Sequence, residues 1–313
     1  MQRFRKILLV LDSHETSQWA LLEGMRVARR NGARLHVIQV IPDFSDSLLA
    51  ATSADLAPIQ KQVCEATQHK LHTLIQEMGP GKLEVSVGIL TGIPFFEIIR
   101  EVIRSEHDLV IKPAAPRVGP GGKMLSSVDL HLLRKCPCPV WLQCPDAMKA
   151  CRRRVMAAVN VMRDTELTHK MNQQILELAA SQAARDRVDL DIVAVWSLPN
   201  ELLLQAIPES AVSVETLRQD AEAVCRSRFE RATAAASGTT DVTVRTHLLQ
   251  GTAALVLEEF VCAQQIGLVV MGTVARTDLP GLLIGDTAET ILATAACSMM
   301  AIKPLGFESP VQL

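Results

Sequence analysis

The sequence contains no tyrosine, and aromatic residues make up only 3% of it. Proteins that bind single-stranded nucleic acid combine a basic groove with aromatic side chains on which bases stack. The formal net charge is -2, so no overall positive field would attract a polyanion. Nucleic acid is therefore not expected as a partner.

Long hydrophobic runs are also missing, and no segment approaches the roughly 18 apolar residues of a membrane span. The opening stretch MQRFRKILLVLDSHE places basic residues before apolar ones, as a signal peptide does. Its apolar run, residues 7–11, is too short for the hydrophobic core of a signal peptide, and no small-residue cleavage site follows. We therefore expect a cytoplasmic, soluble protein with no membrane partner.

Common catalytic and metal-binding signatures are absent. The sequence has no P-loop, HExxH or GxSxG motif, and its eight histidines form no obvious ligand pair. Cys136, Cys138, Cys144 and Cys151 are grouped, but their spacing differs from the paired C-x2-4-C knuckles of zinc sites. Free thiols in a reducing compartment are favoured here, with a metal site as the alternative.

The composition is that of a folded protein of two domains. Hydrophobic residues make up 48% of the 313 residues and charged residues 21%, whereas a disordered chain has low hydrophobicity and high net charge. A length of about 150 residues per domain gives two hydrophobic cores.

The chain repeats itself once, at an offset of about 150 to 160 residues. Both copies contain the same series of short apolar runs, and Gly92 of the first copy aligns with Gly251 of the second. The paired segments are 7–13 with 155–161, 35–43 with 190–199, 85–103 with 244–262, 108–112 with 267–271, and 139–142 with 299–302. A single repeat of this size indicates a duplicated domain.

Within each copy, apolar runs alternate with stretches of helical period, such as residues 17–32 and 165–183. Strands that are apolar on both faces and separated by helices indicate a parallel sheet covered by helices. We predict two tandem Rossmann-like α/β domains, each doubly wound around a five-stranded parallel sheet. They are expected over residues 1–147 and 151–313, with any ligand crevice at the carboxyl ends of the strands.

The stretch MGTVARTDLPGLLIGDTAETIL, residues 271–292, follows the predicted fourth strand of the second half. A glycine at a strand end allows close approach of a phosphate, and a helix N-terminus offers unpaired N–H donors with a partial positive charge. The stretch therefore predicts an anion-binding loop.

This stretch resembles the nucleotide signature of the universal stress proteins, G-x2-G-x9-G-[ST]. Gly272 matches the first glycine and Gly285 the third, whereas Ala275 replaces the second glycine. Asp286 stands at the hydroxyl position, and Thr287 follows it. The duplication and the segment HLLRKCPCPVW, residues 131–141, resemble the universal stress protein E subgroup.

The resemblance implies a Rossmann-like fold and an adenine nucleotide, ATP, ADP or AMP, in the second half, or no ligand at all. Members that bind ATP place an acidic residue after strand one near the adenine. Asp12 stands there in the first half and Asn160 in the second. Gly272, Thr273, Gly285 and Thr287 would hold the phosphates.

In the same members, the residue that ends strand two flanks the base through its backbone. In this sequence that residue is Val40 or Ile41 in the first half and Val195 or Trp196 in the second.

Both halves depart from the signature. In the first, Pro113 and Pro116 stand at the first two glycine positions and remove two N–H donors, so we interpret this phosphate site as lost. In the second, Ala275 would cost on the order of 1 kcal/mol at a left-handed position. The Asp286 carboxylate would repel a phosphate by roughly 4 kcal/mol at about 4 Å with an effective dielectric near 20. Alternatively, Asp286 and Glu289 cap their own helix and no nucleotide binds.

The resulting hypothesis is a stress-response protein that binds and regulates rather than an enzyme, with adenine-nucleotide recognition in its second domain. The alternatives are a slow ATP hydrolase and a binder of an apolar metabolite or partner protein. In similar proteins the last strand, here residues 139–142 and 299–302, mediates pairing. The resemblance thus implies an internal pseudo-dimer of the two halves and a homodimer of chains.

Overall fold

A computed structural model describes residues 4–12, 17–46, 55–114, 126–144, 154–201, 204, 213–234, 242–273, 286–294 and 297–313. Within these ranges strands and helices alternate along most of the chain. The strands are β1 Lys6–Val10, β2 Arg34–Ile41, β3 Val85–Thr91, β4 Leu109–Pro113, β5 Val140–Gln143, β6 Arg154–Val159, β7 Leu190–Trp196, β8 Val244–Gln250, β9 Ile266–Gly272 and β10 Ser298–Ile302. The helices are α1 Ser17–Asn31, α2 Leu56–Glu77, α3 Pro94–Ser105, α4 Ser127–Lys135, α5 Glu166–Asp186, α6 Val214–Ala234, α7 Ala253–Ala263 and α8 Asp286–Thr294.

The described residues form two compact units. The first contains residues from 4 to 144 together with 298–313, and the second contains residues from 154 to 273 together with 286–294 and Cys297. The predicted division along the sequence, 1–147 and 151–313, stays a prediction.

The first unit is built on a parallel sheet in the order β3-β2-β1-β4-β5. Strand β10 pairs with β5 in the antiparallel direction, with Met300 opposite Trp141. Reversal of strand order between β1 and β4 is the arrangement of a doubly wound fold. The carboxyl ends of β1 and β4 therefore lie next to each other.

The second unit repeats this order with β8-β7-β6-β9, again with all neighbours parallel. Strand β7 is buried along its whole length, and helices α5 and α7 pack against it. A strand buried on both faces favours apolar residues at successive positions, and the one polar residue of β7, Asp191, is paired with Arg154 at 2.6 Å and His247 at 2.9 Å. The predicted fold class, two tandem Rossmann-like domains, is confirmed.

Two glycines at equivalent places in the repeat have a backbone that other residues rarely adopt. Gly92 follows β3 with φ of 135°, and Gly251 follows β8 with φ of 138°. A Cβ atom built on Gly251 would lie 2.8 Å from Val256 Cγ2. Conformational strain and close contact both require glycine here.

Replacing Gly251 with alanine is expected to lower the free energy of unfolding by about 1–3 kcal/mol, the usual cost of a strained backbone position. Urea denaturation followed by circular dichroism measures this loss. The matched variant Gly92→Ala should show a loss of similar size. An unchanged unfolding midpoint in both variants would contradict the structural role of these glycines.

Two histidines stack in the first unit beside one carboxylate. The rings of His36 and His107 are 5.8 Å apart and nearly parallel. Their Nε2 atoms lie 3.9 Å and 3.5 Å from Oε1 of Glu101, whose other oxygen is 3.6 Å from Arg104. Burial lowers the pKa of both histidines below the ordinary 6.5, and for His107 the neighbouring His36 adds to this lowering. Glu101 acts in the opposite direction but is outweighed.

Acidification is therefore expected to destabilise the first unit. Because the folded pKa values lie below the unfolded value of 6.5, the unfolded chain binds more protons as the pH falls through that value. The free energy of unfolding should decrease between about pH 7.5 and about pH 5.5. The double variant His36→Gln/His107→Gln should show a shallower decrease. The control variant His69→Gln replaces an exposed histidine of α2 and should show the same decrease as the wild type. Equal pH dependence in all three proteins would contradict this prediction.

None of the helices in the described ranges is long and apolar enough to cross a membrane.

The seven cysteines in these ranges are free thiols, and Cys151 lies outside them.

Candidate functional site

The strand register of the second unit brings four predicted site residues to the carboxyl ends of neighbouring strands. Val159 pairs with Ala194 on one side of β6, and Ala158 pairs with Met271 on the other. One residue further along each strand, Asn160 comes beside Val195 and near the end of β9, where Gly272 and Thr273 stand. The carboxyl ends of three neighbouring strands thus lie next to one another, and the crevice there stays a prediction.

Asn160 is held in place by a second amide on helix α5. Its backbone N–H donates to Asn172 Oδ1 at 2.9 Å, and Asn172 Nδ2 donates back to the Asn160 carbonyl at 2.7 Å. Its side-chain oxygen accepts from the Met162 N–H at 2.9 Å. Because Asn172 is buried, this pair of bonds fixes the backbone at the end of β6. The amide of Asn160 is exposed at this edge.

The end of β9 is closely packed. Thr273 is buried, with 1% of its surface exposed. A Cβ atom at Gly272 would be in van der Waals contact with Met171 Cγ, at 3.4 Å. Small residues at a strand end allow a ligand to approach the backbone.

Helix α8 begins at Asp286, as the sequence predicts for a loop that leads to a helix. Thr287 is half-buried, and Ala288 and Ile291 are buried on the side facing the core. Ala275, Gly285 and the side chain of Asp286 lie outside the described part of the chain. The two interpretations of Asp286, as a helix cap or as a charge facing a phosphate, therefore remain predictions.

The equivalent edge of the first unit contains a buried lysine between two carboxylates. Lys112 Nζ, on β4, donates to Asp12 Oδ2 at 2.8 Å and lies 3.1 Å from Asp129 Oδ1. It also donates to the Pro113 carbonyl at 3.0 Å. The side chains of Lys112 and Asp129 are 2% and 0% exposed, whereas that of Asp12 is 42% exposed.

Asp129 also completes a capping box with Ser126, the N-cap residue of helix α4. Its Oδ2 accepts from the Ser126 N–H at 2.8 Å, and its own N–H donates to Ser126 Oγ at 3.1 Å. Its Oδ1 has an ion-pair distance to Lys112 but poor hydrogen-bond alignment, so the attraction there is mainly electrostatic. The helix N-terminus of this half thus binds a carboxylate of the protein itself.

The charges of Lys112, Asp12 and Asp129 stabilise one another. Burial lowers the pKa of Lys112, but the attraction of Asp129 and Asp12 outweighs burial and leaves the pKa above its ordinary value. Lys112 therefore stays protonated between its two partners. Sequence reasoning identified Asp12 but missed Lys112, although a single lysine in the apolar run LVIKP was the available signal.

Among the described residues, no group of three or more histidines, cysteines or carboxylates could hold a metal ion.

Two doubly wound α/β domains with polar residues at the carboxyl ends of neighbouring strands define a tandem Rossmann-like protein. Residues 3–142 and 153–303 each match the model of the universal stress protein family. The chain belongs to the universal stress protein family, and it contains two of its domains in tandem. The family and the tandem arrangement predicted from the sequence are confirmed.

Similar proteins match over the whole chain. Universal stress protein E of Salmonella typhi is 28% identical over 330 residues, which cover 100% of this chain and 98% of that protein. A crystal structure of a protein of unknown function from Pseudomonas aeruginosa PAO1 has a TM-score of 0.68 at 23% identity, covering 97% of this chain and 94% of that one. A universal stress protein from Archaeoglobus fulgidus has a TM-score of 0.62 at 17% identity, covering 96% of each chain. The two structures support the fold.

Proposed function

We propose that this protein is a cytoplasmic stress-response protein that acts by binding and regulation, and that its second domain recognises an adenine nucleotide. The observation that carries the proposal is the register of β7, β6 and β9, which brings Asn160, Val195 and Gly272 to one sheet edge. This is the half whose sequence keeps the outer glycines of the family signature.

Each residue has a proposed part in binding. The exposed amide of Asn160 offers a donor and an acceptor to the adenosine, and the Val195 backbone flanks the base. Gly272 and Thr273 approach the phosphates together with Gly285 and Thr287, and Ala275 takes the place of a glycine in that loop. Asp286 weakens binding of the phosphates, so affinity does not rise from AMP to ATP.

The first domain is proposed to take no nucleotide, because Lys112 and Asp129 supply charges of both signs at the corresponding edge. Hydrolysis is not part of the proposal. Asp164, in the loop after β6, already pairs with His169 at 2.6 Å and with Arg231 at 2.7 Å. A catalytic base needs a carboxylate or imidazole that can reach the attacking water.

Association is a further part of the proposal. The family resemblance, in which the last strands mediate pairing, is the basis for an internal pseudo-dimer of the two halves. Two chains would form a homodimer. Sedimentation equilibrium tests this, and the expected mass is twice that of one chain.

Calorimetric titration with AMP, ADP and Mg-ATP tests the nucleotide part. The wild type is expected to bind AMP at one site per chain, and Gly272→Val should bind at least about tenfold more weakly because the added side chain fills the strand end. Pro113→Val, at the matching position of the first domain, should bind as the wild type does. Absence of heat with all three nucleotides, or equal binding by Gly272→Val, would overturn the proposal.

A further inference from the structure

The second unit contains a cavity of about 420 Å³ that is separate from the strand ends Val195 and Gly272. It lies between helices α5 and α6, beside the loop that follows β6. Small-molecule sites in proteins commonly have volumes of about 300–1,000 Å³. The cavity is therefore large enough for a compact organic molecule.

The floor of the cavity is apolar. Leu176 and Ala180 of α5 contribute one side, and Ala232 of α6 contributes the other. Residues four apart lie on the same helix face, so Leu176 and Ala180 form one continuous surface. The two alanines leave the space that longer side chains would fill.

The mouth of the cavity is basic. Arg228 and Arg231 of α6 and Arg163 of the preceding loop line it, together with His169. One carboxylate, Glu177, also lines the cavity, and Asp164 lies beside it against Arg228 and Arg231. With histidine neutral, three arginines against two carboxylates leave an excess of one positive charge.

Asp164 holds two of these arginines in place. Its Oδ1 lies 2.7 Å from Arg231, and its Oδ2 lies 3.5 Å from Arg228 Nε. Arg228 also donates to the Val161 carbonyl at 3.1 Å. A hydrogen bond from His169, followed by the charges of Arg231 and Arg228, lowers the pKa of Asp164, so its charge persists at neutral pH.

A guanidinium has five N–H donors in a fixed plane, which suits an oxyanion. Arg231 donates to Asp164 through Nη2. A ligand carboxylate at the mouth would accept from other N–H groups of the same guanidinium. Orientation of the forks before binding reduces the entropy lost when a ligand arrives.

We propose that this cavity binds a small amphipathic organic acid, with its carboxylate on Arg228 and Arg231 and its apolar body on Leu176, Ala180 and Ala232. The site goes beyond the proposed nucleotide function. It shares Asn160 with the nucleotide edge but neither Val195 nor Gly272.

Titration of the full chain with 1-naphthoate, followed by calorimetry, tests this site. We expect one site per chain with a dissociation constant below about 1 mM. The uncharged analogue 1-naphthalenemethanol should bind at least about tenfold more weakly, because it lacks the charge-assisted hydrogen bonds. Equal affinity for acid and alcohol would overturn the proposal.

Variants locate the site. Arg231→Gln should weaken 1-naphthoate binding by about tenfold or more. Arg226→Gln should not, because Arg226 on the same helix pairs with Glu222 instead. Ala232→Leu should abolish binding by filling the floor. Circular dichroism establishes that each variant is folded, and binding unchanged in both Arg231→Gln and Ala232→Leu would contradict the assignment.

The nucleotide variant separates the two proposals. Gly272→Val is expected to bind 1-naphthoate as the wild type does, even where it no longer binds AMP. Loss of 1-naphthoate binding in folded Gly272→Val would assign the acid to the strand edge and overturn the cavity site.

Discussion

Replacing Lys112 with methionine is expected to lower the free energy of unfolding by about 3–5 kcal/mol, the usual cost of breaking a buried ion pair by removing one partner. The reason is the environment of Asp129, which is 0% exposed and lies 3.1 Å from Lys112 Nζ. Without the ammonium group, the charge of the buried Asp129 is balanced only by the Ser126 N–H and the N-terminus of α4. Urea denaturation at neutral pH measures the loss.

A second substitution distinguishes lost charge balance from lost packing. In Lys112→Met/Asp129→Asn the buried carboxylate is gone, while the asparagine oxygen can still accept from the Ser126 N–H. This double variant should recover about 2 kcal/mol or more of the loss. Lys6→Met removes an exposed pair with Glu106, whose side chains are 42% and 83% exposed, and should cost less than about 1 kcal/mol. A Lys112→Met variant as stable as Lys6→Met would contradict the role of the buried lysine.

Replacing Asp286 with asparagine is expected to tighten binding of Mg-ATP by about tenfold or more, a gain of about 1.4 kcal/mol. The repulsion between a carboxylate and a phosphate, roughly 4 kcal/mol at about 4 Å in an effective dielectric near 20, is an upper bound for this gain. Affinity for AMP should change less, because its single phosphate lies nearest the ribose. Calorimetric titration of both nucleotides measures the difference.

Glu289→Gln provides the control for Asp286→Asn, because it removes one charge from the same helix three residues later. It should leave the affinity for Mg-ATP within about twofold. If Asp286 caps its own helix and no nucleotide binds, neither the wild type nor Asp286→Asn would bind Mg-ATP. That result would favour the interpretation in which the protein's own carboxylate occupies the helix terminus.

Local patterns in the sequence predict much of this fold. Apolar runs between helical stretches predict the parallel sheets, and the alignment of Gly92 with Gly251 predicts two equivalent turns, whose φ values differ by only a few degrees. Helix α5 extends past the predicted end at residue 183 to Asp186. Arg187 ends it in the left-handed conformation, with φ of 55°, without the glycine or asparagine that normally marks such an end.

Contacts between distant residues could not be predicted in the same way. Lys112 and Asp12 are 100 positions apart, and periodicity does not indicate which buried charge meets which partner. Periodicity does not indicate the partner of β10 either, because an apolar strand can pair with either edge of a sheet; only the family resemblance implied pairing of residues 299–302 with residues 139–142. At the candidate site, the predicted strand ends come together, but the bonds from Asn172 to Asn160 depend on how α5 packs on β6.

A calorimetric titration of the wild-type protein with AMP tests the central claim most directly, namely that the second domain alone recognises an adenine nucleotide. We expect one saturable site per chain with a dissociation constant of about 100 μM. Binding should be retained in Pro113→Val and weakened at least about tenfold in Gly272→Val. Two sites per chain, or a single site that survives in Gly272→Val and disappears in Pro113→Val, would contradict the claim.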